Sequence, residues 1–221
     1  RRGEAAPSAA LPNAPTMSVI GMCLLWAGWF GIVGGATLSA SGDDAARVII
    51  NTHLGASVAM LVWAVIERVR TGKVSGLGIA SGAIAGLAVM TPAADVIGPG
   101  GATIMAALAT VICYGIGQAV RNSLKIDDVA NIFGLFGVGG ITGSLLLAIF
   151  ASEGLGGIGY VDGAGMASQL WLQVKAVAVV AAWSAVVTLI IGYMVAMVIP
   201  MRVSEAEERQ GLDVASHGAG E

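Results

Sequence analysis

The chain alternates long apolar runs with short polar interruptions, and the runs have the length of membrane crossings. Six are visible: about Thr16 to Ser39, Asp44 to Ile66, Gly76 to Ala94, Gly100 to Val120, Val129 to Phe150 and Ser168 to Ile199. Each holds roughly the 20 apolar residues that a helix needs to span a bilayer. The last is longer, so it tilts or extends past the lipid. The interruptions carry turn and helix-end chemistry: S-G-D-D at 41–44, E-R-V-R-T-G-K at 67–73, T-P-A-A-D at 91–95 and R-N-S-L-K-I-D-D at 121–128. This pattern predicts an all-α integral membrane protein of about six transmembrane helices over residues 16–200. A polar lead-in, 1–15, precedes them and a charged tail, 201–221, follows.

Glycine placement refines the picture. In Asp127 to Gly143 two carboxylates stand ahead of an apolar run, where a helix N-terminus favours negative charge and side-chain caps. Gly134, Gly137, Gly139, Gly140 and Gly143 then recur with Phe133 and Phe136 between them. Each would cost roughly 1 kcal/mol relative to alanine in a soluble helix. In a membrane they let neighbouring backbones approach closely. Gly78, Gly82 and Gly86, four apart, predict a second ridge of the same kind.

Composition agrees. The chain is 56% hydrophobic and 11% charged, with a mean hydropathy of +0.84; a soluble domain carries about 25% charged residues. The absence of a basic stripe or zinc pattern argues against nucleic-acid binding. The first residue is arginine and no signal-peptide pattern follows it, which reads as a processed chain or a fragment. Basic residues fall in alternate segments: Arg1 and Arg2; Arg68, Arg70 and Lys73; Arg121 and Lys125; Arg202 and Arg209. The opposite loops carry Asp43, Asp44, Asp95, Glu153 and Asp162, with Arg47 as the one cation near them. By the positive-inside rule both termini are cytoplasmic, in a membrane read as the bacterial inner membrane.

Candidate chemistry is sparse. Gly154, Gly156 and Gly159 fit G-x-G-x-x-G, but no strand precedes them, so dinucleotide binding is not indicated. Cys23 and Cys113 lie inside apolar spans and read as small buried hydrophobes. No nucleophile constellation, cofactor motif or metal pattern is present, and an enzyme is not expected. His53, in N-T-H-L, is an intramembrane ionisable group and hence a candidate functional residue, against the plainer reading of a neutral histidine hydrogen-bonded to a neighbouring helix. Lys175 lies near the outer side, where it could snorkel to the interface.

Several blocks together resemble the ammonium transporter (Amt/Rh) family: A-G-W-F-G (27–31), N-T (51–52), S-G-A-I-A-G-L (81–87), T-P-A-A (91–94), G-P-G-G (98–101), D-D (127–128), F-G-x-x-G-V-G-G-I-x-G (133–143), G-L-G-G-I-G (154–159) and G-L-D-V-x-S-H-G (211–218). The resemblance implies a trimer of eleven-span subunits built from two inverted repeats and a final helix. This chain would supply the second repeat and that helix, with the first five spans lying elsewhere. It also implies pore or vestibule positions for Trp29, Ile32, Ala36, Asn131, Ile132 and Phe136, with Thr91 a further polar candidate.

At four of these the residue type departs from the family's pattern. Phe136 stands where a pore histidine is expected, Ile32 where an aromatic gate is, Ala36 where a hydroxyl is, and Asn131 where a carboxylate is. Phenylalanine can neither donate nor accept a proton. Gly211, Leu212, Asp213 and His217 match a cytoplasmic segment that docks across the trimer. The expected function is therefore ammonium/ammonia transport as the C-terminal half of an Amt-type channel, working beside a separate first half. The alternative is a non-conducting structural or ammonium-sensing subunit of a larger membrane complex.

Overall fold

The structure, a computed structural model, describes residues 15–38, 43–124, 126, 128, 130–161, 163–201, 203–204, 206–207 and 214–215. Contacts divide the chain into two compact units, Pro12–Val177 and Arg1–Leu11 with Ala178–Glu221. Its helices are α1 (Pro15–Ala36), α2 (Asp43–Thr71), α3 (Gly76–Met90), α4 (Pro99–Asn122), a π-helical turn (Phe133–Gly137) running into α5 (Val138–Phe150), and α6 (Met166–Ala196). α6 begins in the first unit and continues into the second.

Among the described residues five helices are long and apolar enough to cross a membrane: α1, α2, α4, the Phe133–Phe150 rod and α6. The third expected span is shorter than its apolar run, because α3 stops at Met90. Pro92 has no N–H with which to continue the ladder. The backbone proceeds in turns to Ile97, with Ala94 N–H donating to Met90 O (2.9 Å) and Ile97 N–H to Ala93 O (3.2 Å). Irregular backbone is tolerated at membrane depth only where protein covers it. Here Ala93, Ala94 and Ile97 are buried, and the Asn51 amide of α2 donates to the carbonyls of Ala94 (2.9 Å) and Ile97 (2.8 Å).

In the first unit α2 packs on α3 and α4, α1 on α3 and α2, and α5 on α4 and α3. Close approach depends on small residues. A Cβ on Gly86 would lie 2.6 Å from the Gly55 carbonyl oxygen and 2.7 Å from Ala56 Cα, so the α2 and α3 backbones meet there. Gly82 faces Ala59 and Met60 in the same seam, whereas Gly78 lies against the Glu67 carboxylate. That carboxylate accepts from Ser75 N–H (2.9 Å), and Ser75 Oγ in turn caps Gly78 N–H (2.8 Å), which fixes the start of α3. α4 begins with Gly98 at its N-cap and Pro99 at its first position, a favourable pairing.

The last inter-helix rod starts at Phe133, later than Val129, because Asn131 adopts a left-handed backbone (φ 54°). Both Asp128 oxygens cap it, accepting from Ile132 N–H (2.7 Å) and Phe133 N–H (2.9 Å); Asp127 lies outside the described residues. Within the rod, Gly139 and Gly143 abut α3 and Gly134 abuts Asn131 and Gly117, but Gly140 faces open space and Gly137 meets only the Phe133 ring. The loop after α5 folds back, with Ile158 N–H donating to Val96 O (3.0 Å). Cys113 is buried as expected, whereas Cys23 lies on the exposed side of α1, which buries only Met22 and Val33.

In the second unit α6 continues to Ala196, and turns carry the chain to Pro200. Beyond it Ser204 and Glu207 form a reciprocal cap. Ser204 N–H and Oγ donate to the Glu207 carboxylate (2.8 and 2.7 Å), and Glu207 N–H donates back to Ser204 Oγ (3.3 Å).

Candidate functional site

Trp29 anchors the site. From the middle of α1 its indole N–H donates to Thr91 Oγ1 (3.0 Å), at the break after α3, and Thr91 Oγ1 donates in turn to Leu87 O (2.8 Å). The same indole faces the Phe136 ring of the π-helical turn at a centroid separation of 6.2 Å and a tilt of 33°. That lies within the usual range for aromatic pairs. Three elements thus converge on Trp29, and Phe136 and Thr91 both remain exposed beside it.

From Thr91 the line opens into a pocket of about 420 Å³. Its walls include Ile32 and Ala36 from the end of α1, Asp44 and Arg47 from the start of α2, and Asp95 from the turns after α3. Arg47 Nη2 holds Asp44 Oδ1 at 2.7 Å, while Arg47 Nε is buried without a hydrogen-bond partner. Asp95 makes no hydrogen bond or ion pair among the described residues. Ile32 is 61% exposed, so its side chain lies open on the pocket rather than inside the core.

The sequence-derived candidates therefore sort into groups. Trp29, Thr91 and Phe136 come together, and Ile32 and Ala36 join them through the pocket. Asn131 does not line that path. It is 4% exposed and sits in a notch of α4, where a Cβ on Gly117 would collide with its side-chain oxygen. Ile132 is exposed next to it. His53 stands apart, its ring lying 5.3 Å from that of Trp26 and 6.1 Å from that of Phe30, on the exposed side of the α1–α2 pair. Gly211, Leu212, Asp213 and His217 lie outside the described residues. Gly156 and Gly159 take positive φ in a loop with no preceding strand, an arrangement unlike a nucleotide cradle.

Sequence reasoning gave no site role to Asn51, Arg47 or Asp95. The signal for Asn51 was present, since N-T interrupts an apolar span. Its partners lie 43 and 46 residues ahead, which periodicity cannot register. Arg47 was noticed only as an exception to the charge bias.

All 221 residues match the Ammonium Transporter Family. The chain belongs to that family. Among relatives of this ammonium transporter homologue, Ammonium transporter Amt1 of Archaeoglobus fulgidus is 38% identical over 209 residues, covering 93% of this chain and 52% of the relative. The Ammonium transporter of Bacillus subtilis is 33% identical over 213 residues, covering 96% and 52%. The chain thus spans about half the length of the curated relatives it matches. Among solved structures, one titled Sensor Amt Protein superposes with a TM-score of 0.83 at 25% identity, covering 96% of this chain and 52% of that one. Mep2 of Candida albicans superposes at 0.78 with 31% identity, covering 89% and 45%. Family and helices together make the chain an integral membrane protein.

Proposed function

We propose that this chain forms the second half of an ammonium channel wall and takes part in ammonium/ammonia transport across the membrane. The observation that carries the reading is the unbroken line from Phe136 through Trp29 and Thr91 into the pocket beside Ile32 and Ala36, open along one side. In folds of paired repeats the substrate path runs between the two halves, and an open line on one half is what such a path requires. A first half, on the same or another chain, would close it. A trimer in the bacterial inner membrane, with both termini cytoplasmic and the 211–217 segment docking across subunits, completes the proposal.

Phe136 defines how such a channel would differ from one with a histidine there. Its ring neither accepts nor donates a proton, so this position cannot relay one, and passage past it depends on the small neutral ammonia. The test is growth rescue of an ammonium-uptake-deficient strain that coexpresses a first half. Rescue by the unaltered chain supports transport.

A second reading, a non-conducting or ammonium-sensing subunit, is favoured by the Phe136 ring set against Trp29. The likeness to the structure titled Sensor Amt Protein agrees with it. Rescue that appears only with Phe136→His would select this second reading.

A further inference from the structure

Asn131 occupies a place that its own hydrogen bonding does not explain. It takes a left-handed backbone (φ 54°), uncommon for a residue other than glycine, and is 4% exposed. Its side-chain oxygen is buried and has no hydrogen-bond partner among the described residues, a costly state for an acceptor. What the side chain has instead is contact with two backbones. A Cβ on Gly117 of α4 would collide with the Asn131 oxygen. One on Gly134 of the π-helical turn would lie 2.5 Å from that oxygen and 2.9 Å from Gly117 Cα. Asn131 therefore fills the notch where α4 and the turn meet.

The same turn carries Phe136. Val138 N–H donates to Phe133 O, five residues back, whereas Leu135 N–H donates to Asn131 O (2.9 Å), four residues back. A single π turn holds one residue more than an α ladder needs. Both ends of the stretch are anchored. Gly139 and Gly143 seat α5 on α3, and the Asp128 carboxylate caps the Ile132 and Phe133 N–H groups beside Asn131. Closing the turn to an α ladder would rotate the residues before Val138 by up to about 100° relative to α5, one residue's step. That would carry the Phe136 ring away from Trp29, which it meets at 6.2 Å. We infer that Asn131 is a positioning residue: by filling the notch between Gly117 and Gly134 it holds the π register and keeps the Phe136 ring on Trp29. The use of that ring is the channel-wall reading above, on which the inference rests. The plainer account is a left-handed residue closing a loop, a task that glycine performs at no steric cost.

The experiment is fluorine NMR of the assembled protein, purified from membranes, with para-fluorophenylalanine in place of Phe136. The indole ring current of Trp29 displaces this resonance, and Trp29→Leu marks where it lies without that neighbour. Asn131→Gly keeps the left-handed backbone but empties the notch, and the resonance is expected to move to the Trp29→Leu position. Gly117→Ala pushes on Asn131 from α4 with the loop sequence intact, and the same move is expected. Asn131→Asp has the same outline and also visits the left-handed region, so it keeps the unaltered resonance. A resonance unmoved in Asn131→Gly or in Gly117→Ala, or lost from its place in Asn131→Asp, overturns the inference. Because the readout is the ring itself, no transport is needed. A failure of growth rescue with these shifts as expected overturns the transport reading and leaves the positioning role standing.

Discussion

Asn51 shows how much one side chain can organise at the residue scale. Its amide holds two carbonyls of a backbone stretch that has left the helical ladder. Asn51→Ala leaves both without that donor in a buried setting, and we expect a loss of about 2–3 kcal/mol, read as a lower unfolding midpoint in detergent. Thr91→Val keeps the shape but removes the acceptor of the Trp29 indole. The expected result is a shift in Trp29 fluorescence with little change in the melting point, since the indole remains half-buried against Phe136. Residue identity made Trp29, Thr91 and Phe136 legible through the motifs that contain them. The role of Asn51 was not legible, because its partners are fixed only by where α3 breaks.

Helix termini and seams divide the predictable from the unpredictable at the scale of elements. Among the described residues apolar run length located α1 to α6, and Pro99, Ser75 and Asp128 act at the ends where their residue types belong. The stop of α3 and the late start of the Phe133 rod escaped, since one depends on a proline within an apolar run and the other on a left-handed asparagine. Glycines differ in the same way. Gly86→Ala drives a methyl into the α2 backbone and should cost about 1–3 kcal/mol. Gly140→Ala meets nothing within 4 Å and should be neutral or stabilising by up to about 1 kcal/mol. Paired thermal melts check both.

In the tail, the Ser204 hydroxyl and N–H hold the Glu207 carboxyl below its usual value. A depressed folded-state value means that the cap is intact above the unfolded pKa and is lost as pH falls through the folded one. The protection factor of the Glu207 amide, its exchange rate relative to the intrinsic rate at the same pH, should therefore fall on acidification and be low at every pH in Glu207→Ala.

For the whole molecule, the family and the membrane class were legible from composition and block order, while the charged rim of the outer pocket needed coordinates. Arg47 and Asp95 are 48 residues apart by their numbers and border one pocket only because the turns after α3 lie beside the start of α2. The proposed trimer gives a test at this scale. Removal of residues 201–221 should lower the oligomer seen by native mass spectrometry, and an unchanged oligomer would refute the docking of the tail. The truncated α3 has a further evolutionary consequence. Its 15 residues rise about 22 Å, short of a hydrocarbon core of about 30 Å, and the buried turns from Thr91 to Ile97 extend it at a fixed count. Insertions elsewhere can be absorbed by loops, but one residue gained or lost there would move both carbonyls out of reach of Asn51. This segment should be the least tolerant of length variation in the chain.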